Sequence, residues 1–191
     1  MHIGLFFGSF NPVHIGHMAL ANYMLSFTGM DQIWFIVSPQ NPLKSKSQLL
    51  NQNHRLHLVN LAINDHPGMR SSNIEFDLPQ PSYTVSTLAH LREKFPAHQF
   101  SLIIGQDNLK TFSKWRNYEE ILKQFQLFVY PRPGVGQTEF DTHPQVHLTQ
   151  APLIEISSTF IRQAIANKKD VRFFMPERVW KEVDEMNFYQ K

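Results

Sequence analysis

Residues 3–17 read Ile-Gly-Leu-Phe-Phe-Gly-Ser-Phe-Asn-Pro-Val-His-Ile-Gly-His. The first five are a compact apolar run that ends in Gly-Ser, which predicts a buried strand over residues 3–7. The stretch then opens a helix whose apolar stripe includes Met18, Ala21 and Leu25. A buried strand that turns directly into a helix is the repeating unit of α/β proteins.

The same alternation of short apolar runs and helix-period segments continues along the chain. Further strands are predicted over Gln32 to Val37, Arg70 to Phe76, Phe100 to Ile104, Leu127 to Tyr130 and Val146 to Leu148. One helix is predicted after an Asn53 cap, with Leu56, Val59 and Ile63 on one face, and another from Ser82 to Phe95, with Val85, Leu88 and Leu91 as the buried row. A short helix is predicted over Tyr118 to Gln124. Two more are predicted between Ser158 and Met186, the second starting at Pro176. This order predicts an α/β fold with a mainly parallel sheet, helices on both faces and a short C-terminal helical piece. In such a sheet, ligands bind at the carboxyl ends of the strands.

Length and composition restrict the classes of protein. The 191 residues suit one domain, and the 18 basic residues are scattered among 16 acidic ones, so we expect no nucleic-acid partner. There is no Cys, which excludes disulfides, thiolate metal sites and a Cys nucleophile. No apolar run reaches membrane-spanning length and the N-terminus lacks a signal pattern, so we expect a cytoplasmic protein without a membrane partner.

The loop after the first predicted strand has the features of a phosphate site. Gly8 and Gly16 would let the backbone approach a ligand, and the helix start offers free N–H groups. His14 and His17 are three residues apart and would share one side of a helical turn. Two alternatives are a tight turn with incidental histidines and a metal pair, although no third ligand is suitably spaced.

A second candidate phosphate site lies near the C-terminus, where residues 156–162 read Ile-Ser-Ser-Thr-Phe-Ile-Arg. Ser157, Ser158 and Thr159 supply hydroxyls at a helix start, and Arg162 adds a guanidinium within the first turn. Such groups together bind phosphate oxygens. Taken alone, the segment would also fit an ordinary Ser-capped helix with a surface arginine.

The two motifs together resemble the H-x-G-H and I-S-S-T-x-I-R signatures of the nucleotidyltransferase superfamily. That resemblance implies a Rossmann-like sheet and one nucleotidyltransferase domain over residues 1–191, with residues 155–191 as the C-terminal helical part that carries the phosphate motif. It also implies that His17 and His14 are catalytic, since the superfamily's signature histidines contact the triphosphate and stabilise the transition state.

Three internal segments resemble bacterial nicotinate-nucleotide adenylyltransferases: residues 103–115, Pro81 to Thr84 and Tyr130 to Gly134. In the first segment, Asp107 could accept hydrogen bonds from a ribose diol; we expect it to be a core residue that needs such partners. Trp115 offers a flat face for a cationic pyridinium ring. Tyr83 and Thr84 lie at a predicted helix start, whose amides suit a carboxylate.

One segment departs from the family pattern. Where that family has N-x-P-P-H followed by a basic residue, this chain reads Asn41-Pro42-Leu43-Lys44-Ser45-Lys46, so the His is missing. Either Lys44 or Lys46 could supply the basic group that holds the acceptor's phosphate.

The resemblance implies transfer of AMP from ATP to nicotinate mononucleotide, with Mg²⁺ delivered by ATP and no metal ligand from the protein. The residues expected at ATP are Gly8, Ser9, Phe10, Gly16, Gly105, Asp107, Arg132, Ser157, Ser158, Thr159 and Arg162. The alternatives are a sister transferase that uses nicotinamide mononucleotide or another phosphate acceptor, and a non-catalytic nucleotide-binding module. The oligomeric state is left open.

Overall fold

The structure, a computed structural model, describes residues 1–39 and 49–190; Lys44 and Lys46 lie outside them. The strands are β1 (His2–Gly8), β2 (Gln32–Val37), β3 (Met69–Ser72), β4 (Gln99–Gly105), β5 (Gln126–Tyr130) and β6 (Val146–Leu148). The α-helices are α1 (Ile15–Phe27), α2 (Gln52–Ile63), α3 (Thr84–Lys94), α4 (Gln106–Leu109), α5 (Tyr118–Gln124), α6 (Ser158–Ala166) and α7 (Glu177–Glu185). No helix of this described part is long and apolar enough to cross a membrane.

All neighbouring strands in the sheet run parallel, in the order β3-β2-β1-β4-β5-β6. The chain moves outward from β1 through β2 to β3, and then returns to the other side of β1 to build β4, β5 and β6. This reversal places a topological switch point between β1 and β4, where α/β sheets bind ligands. The predicted Rossmann-like α/β fold is confirmed.

Alternate residues of the strands enter two different cores. Ile3 and Leu5 of β1 belong to the core on one face of the sheet, whereas Phe6 belongs to the core on the other face. Because both faces are covered, the interiors of β1, β2, β4 and β5 are largely apolar, and this produced the continuous runs visible in the sequence.

The helices divide between these two cores. Leu20 of α1 and Leu58 of α2 share one core with Ile161 of α6 and Val179 of α7. The other core contains residues of α3 and α5, among them Leu88 and Ile121. The C-terminal helices therefore pack on the same core as the first two helices, which brings α6 to the side of the sheet where α1 begins.

Several predicted boundaries were wrong. The last helix begins at Glu177, with Pro176 as its N-cap residue and not its first residue. The third strand stops at Ser72 instead of Phe76, because the chain turns there and the Asn73 carbonyl accepts a hydrogen bond from the Phe76 N–H. Helix α2 is capped by Asn51, whose side chain accepts from the Asn53 N–H, so Asn53 is the donor and not the cap.

A further correction concerns α3. Ser82 does not cap this helix, which begins at Thr84 with Tyr83 as the N-cap residue. The Ser82 hydroxyl instead donates to the carboxylate of Glu75.

Candidate active site

The loop between β1 and α1 is shaped by two aromatic rings that need neighbouring glycines. Phe10 is buried and takes a left-handed φ of 44°. A Cβ on Gly8 would lie 2.8 Å from the Phe10 ring, and a Cβ on Gly16 would lie 3.0 Å from the His14 ring. The glycines therefore make room for Phe10 and His14. The Phe10 side chain is part of the core, so only its backbone is open to a ligand.

The two histidines of this loop stack on each other at the start of α1. Their ring centroids are 3.7 Å apart, which confirms that they share one side of the helical turn. The backbone N–H of His14 donates to Nδ1 of His17 at 3.2 Å. Because Nδ1 of His17 accepts, a neutral His17 ring carries its proton on Nε2 and can donate from that atom.

His14 differs from His17 in its electrostatics. The ring is buried, and burial together with the positive charge of Arg132 lowers the pKa of His14 to about 4. His14 is therefore neutral at physiological pH. This interaction also places Arg132, from the loop after β5, near the first loop.

Asp107 and Arg132 form an exposed pair at the ends of β4 and β5. Nε of Arg132 is 3.5 Å from Oδ1 of Asp107, and the guanidinium lies over the Tyr130 ring at 5.1 Å. The side chain of Asp107 is 51% exposed, so the expectation of a core aspartate was wrong. A Cβ on Gly105 would lie 2.3 Å from the Asp107 carboxylate, which explains the glycine there.

Helix α6 joins the C-terminal motif to the first loop. Nη1 of Arg162 donates to the Asn11 carbonyl at 2.8 Å, and the Ser158 hydroxyl donates to the Pro12 carbonyl at 2.9 Å. Ser157 caps the helix by accepting from the Phe160 N–H at 3.2 Å. The two motifs, more than a hundred residues apart in sequence, thus meet at the switch point.

These contacts refine the expected roles of the three hydroxyls. The single proton of Ser158 is directed to Pro12, so this hydroxyl joins α6 to the loop. Ser157 and Thr159 use their oxygens as acceptors, from the Phe160 N–H and from Nη2 of Arg162, and keep their own protons for donation. Ser157 and Thr159 are therefore better placed than Ser158 to donate to a phosphate.

Three site residues carry buried polar atoms that have no hydrogen-bond partner among the described residues. They are Nδ1 of His14, Nε of Arg162 and Nε of Arg132, the last of which lies in the ion pair with Asp107 at 3.5 Å. Two of the three atoms are guanidinium donors, and buried donors are nearly always satisfied. An anion bound at the switch point would supply the missing acceptors.

The residues expected at the acceptor lie around the start of α3. The guanidinium of Arg116 lies over the Tyr83 ring at 4.8 Å, and the adjoining Trp115 is partly buried with its ring 5.1 Å from that of Phe112. Thr84 is the first residue of α3. Arg116 thus joins the segment that carries Trp115 to Tyr83 at the start of α3, and adds a cation there.

The comparisons with known proteins identify the family. A family model described as cytidylyltransferase-like matches residues 5–164. A probable nicotinate-nucleotide adenylyltransferase from Flavobacterium psychrophilum is 53% identical over 193 residues, covering 100% of both chains. One from Cytophaga hutchinsonii, with the same description, is 47% identical and covers 100% of this chain and 97% of its own. The chain belongs to the nicotinate-nucleotide adenylyltransferase family.

Solved structures of adenylyltransferases resemble this chain in their fold. Nicotinic acid mononucleotide adenylyltransferase from Plasmodium falciparum, solved in complex with NaAD, aligns with a TM-score of 0.81 at 17% identity, covering 98% of this chain and 97% of its own. The same protein complexed with APC aligns with a TM-score of 0.80 at 16% identity, covering 98% and 96%. The adenylyltransferase fold is therefore retained at low sequence identity.

The sequence analysis missed a buried arginine, Arg55 of α2. Its guanidinium donates to the carbonyls of Leu50, Ser9, Ser38 and Pro39 at 2.6–2.9 Å. The side chain is fully buried, and burial lowers the pKa of Arg55 to about 10, so it stays charged at neutral pH. The signal available in the sequence was the spacing of Arg55 from the apolar Leu58 and Val59, which follow it by three and four residues and therefore share its face of the helix.

Proposed function

We propose that this chain transfers AMP from ATP to nicotinate mononucleotide, giving nicotinate adenine dinucleotide and pyrophosphate. Family membership supports the reaction. The observation that carries the assignment of the site is the meeting of His14, Arg132 and Arg162 at the switch point, where Nδ1 of His14 and Nε of Arg162 are buried without a hydrogen bond to the described residues. These atoms surround the switch point, where a triphosphate would bring acceptor oxygens.

The step is an in-line substitution at phosphorus. A 5′-phosphate oxygen of nicotinate mononucleotide forms a bond to the α-phosphorus of ATP, and the bond from that phosphorus to the bridging oxygen of the β-phosphate breaks. The electron pair leaves with pyrophosphate. The attacking oxygen is already ionised at neutral pH, since the second pKa of a phosphate monoester is near 6. The reaction therefore needs alignment and charge stabilisation more than a general base.

At ATP, we assign the main catalytic role to His17, which would donate from Nε2 to an oxygen that gains charge in the transition state. Arg162, Ser157 and Thr159 would hold the departing pyrophosphate. His14 and Arg132 would contact the triphosphate from the other side. The backbone around Gly8, Ser9, Phe10, Gly16 and Gly105 would lie along the nucleotide, with Asp107 near the ribose.

At the acceptor, Trp115 would stack on the pyridinium ring. The free amides at the start of α3, near Tyr83 and Thr84, would receive the carboxylate, and Arg116 would add positive charge. Lys44 or Lys46 would hold the acceptor's phosphate; these two residues lie outside the described part of the chain, and their roles remain predictions from the sequence.

Magnesium is best accounted for as a part of the ATP substrate, held by phosphates and water. Within residues 1–39 and 49–190, no group of three or more His, Asp or Glu side chains could hold a metal ion.

A pyrophosphate-release assay tests the proposal. ATP with nicotinate mononucleotide should release pyrophosphate, whereas ATP alone, or CTP with the same acceptor, should release little. The panel should include nicotinamide mononucleotide and phosphopantetheine, because a faster reaction with either would identify a sister transferase. No release with any acceptor, together with measurable ATP binding, would identify a nucleotide-binding module.

A further inference from the structure

The C-terminal end of the chain reaches back to the first loop. The hydroxyl of Tyr189 donates to Oδ1 of Asn11 at 2.9 Å, across 178 residues of sequence. The phenol is largely buried, and that burial raises the pKa of Tyr189 above its ordinary value although Arg162 and Arg55 act in the opposite direction. Tyr189 therefore keeps its proton and remains a donor at neutral pH.

Asn11 connects this contact to the site. Its side-chain oxygen accepts from both the Tyr189 hydroxyl and the Leu50 N–H, and its backbone carbonyl accepts from Nη1 of Arg162 at 2.8 Å. Asn11 is itself 4% exposed, so water cannot readily replace these donors. Asn11 is thus held through its side chain by Tyr189 and Leu50 while its backbone carbonyl holds the guanidinium of Arg162.

We propose that Tyr189 is a positioning residue for adenylyl transfer, which acts through Asn11 on Arg162. The inference deepens the proposed function, because Arg162 is assigned to the departing pyrophosphate. Tyr189 does not itself touch substrate. Its hydroxyl holds Asn11, and the Asn11 carbonyl holds the Arg162 guanidinium through Nη1.

Replacement of Tyr189 by Phe tests this with the loss of one oxygen atom and retention of the ring. We expect kcat/KM for ATP to fall about fivefold, the factor that corresponds to one neutral hydrogen bond, while KM for nicotinate mononucleotide changes by less than about twofold. The matched control is Tyr23→Phe, which removes a phenolic oxygen from the middle of α1, where Tyr23 stacks on Phe27. The control should keep wild-type kinetics.

A double-mutant cycle separates positioning from general stability. In an Arg162→Lys background the bidentate guanidinium is already lost, so Tyr189→Phe should cause little further loss of kcat/KM. A purely structural role would give the same loss in both backgrounds, following the folded fraction in a thermal melt. Equal losses, or unchanged kinetics in Tyr189→Phe, would overturn the proposal.

Calorimetric ATP binding distinguishes failure of this inference from failure of the proposed function. If the wild-type chain released no pyrophosphate with nicotinate mononucleotide, the proposed acceptor would be wrong. Weaker ATP binding by Tyr189→Phe than by wild type would still support positioning of Arg162. Equal ATP affinity of the two proteins in that case would contradict it.

Discussion

Single residues at the switch point have separate tasks although they lie within one small region. His17 has a defined neutral tautomer because its Nδ1 accepts from the His14 N–H, and this makes Nε2 a donor. His14 is neutral because burial and Arg132 oppose its protonation. We therefore propose that His17 donates to the developing charge and that the protonation of His14 responds to an incoming anion.

Replacement of His17 by Ala should reduce kcat by roughly 10²- to 10³-fold, the loss typical of one transition-state donor. The fold should persist, because Leu20, Ala21 and Met24 of α1 remain in the core. Steady-state kinetics with ATP and nicotinate mononucleotide, beside an exposed control such as His57→Ala, measure the effect. A His17→Ala enzyme that kept most of its kcat would remove His17 from the chemistry.

The low pKa of His14 predicts proton uptake when ATP binds. In the free protein the pKa is about 4, so the ring is neutral at pH 5.5. The negative triphosphate favours the imidazolium and should raise this pKa, so that the complex takes up a proton. Calorimetry in two buffers of different ionisation enthalpy measures the uptake.

The His14→Asn variant is the comparison for this measurement, since it corrects for the titration of ATP itself. Wild type should take up more protons than the variant at pH 5.5, and the difference should vanish above about pH 8, where both states are neutral. Equal uptake at pH 5.5 would show that the triphosphate does not act on His14.

At the scale of elements, we propose that the start of α3 sets the preference for the acceptor. Its first N–H groups have no partners within the helix and lie at the positive end of the helix dipole. The nearby Glu75 is buried, but its carboxylate already accepts from the hydroxyls of Ser82 and Thr87. The oxygens of Glu75 are therefore engaged by the protein, and the guanidinium of Arg116 over the Tyr83 ring is the positive charge beside the helix start that would favour an anion.

Nicotinate mononucleotide should be preferred to nicotinamide mononucleotide by about 10²-fold or more in kcat/KM. A carboxylate accepts hydrogen bonds at both oxygens, whereas a carboxamide would place its NH₂ donors against the N–H donors of the helix start. Donors that face each other would be left without acceptors when buried. Measurement of kcat/KM for both acceptors at saturating ATP checks this. Equal values would mean that the carboxylate site is wrongly placed.

At the scale of the whole molecule, Arg55 links segments that are far apart in sequence. Its guanidinium binds the carbonyls of Ser9 after β1, of Ser38 and Pro39 after β2, and of Leu50 before α2. Helix α2, which carries Arg55, is therefore joined directly to the loop that carries the histidines. The site depends on this charge although no substrate would touch it.

Replacement of Arg55 by Met should lower the free energy of unfolding by about 3 kcal/mol or more, because four buried carbonyls lose their donor. Urea unfolding measures the change. Arg70→Met is a suitable control: Arg70 is exposed and lies over the Trp34 ring at 4.8 Å, so its loss should cost much less. Similar costs for the two variants would show that the contacts of Arg55 add little to stability.

The sequence by itself determined the order of the strands and helices along the chain and the positions of the two motifs. The apolar run within residues 32–37 predicted β2 to the residue, because a strand buried on both faces is apolar along most of its length, and the short segment 146–148 predicted β6. The spacing of His14 and His17 fixed their shared side of α1, because helical neighbours recur every three to four residues. Local periodicity was sufficient for these features.

Only the tertiary structure decided which polar groups satisfy one another. The exposure of Asp107, the engagement of Ser82 by Glu75 and the contact between Tyr189 and Asn11 all depend on chain segments that meet in space. A side chain's periodicity reports its burial but not its partner, since hydrogen bonds are chosen by distance and direction in three dimensions. For that reason the sequence located the phosphate-binding motifs, whereas the arrangement of Arg55, Asn11 and Tyr189 behind them appeared only in the fold.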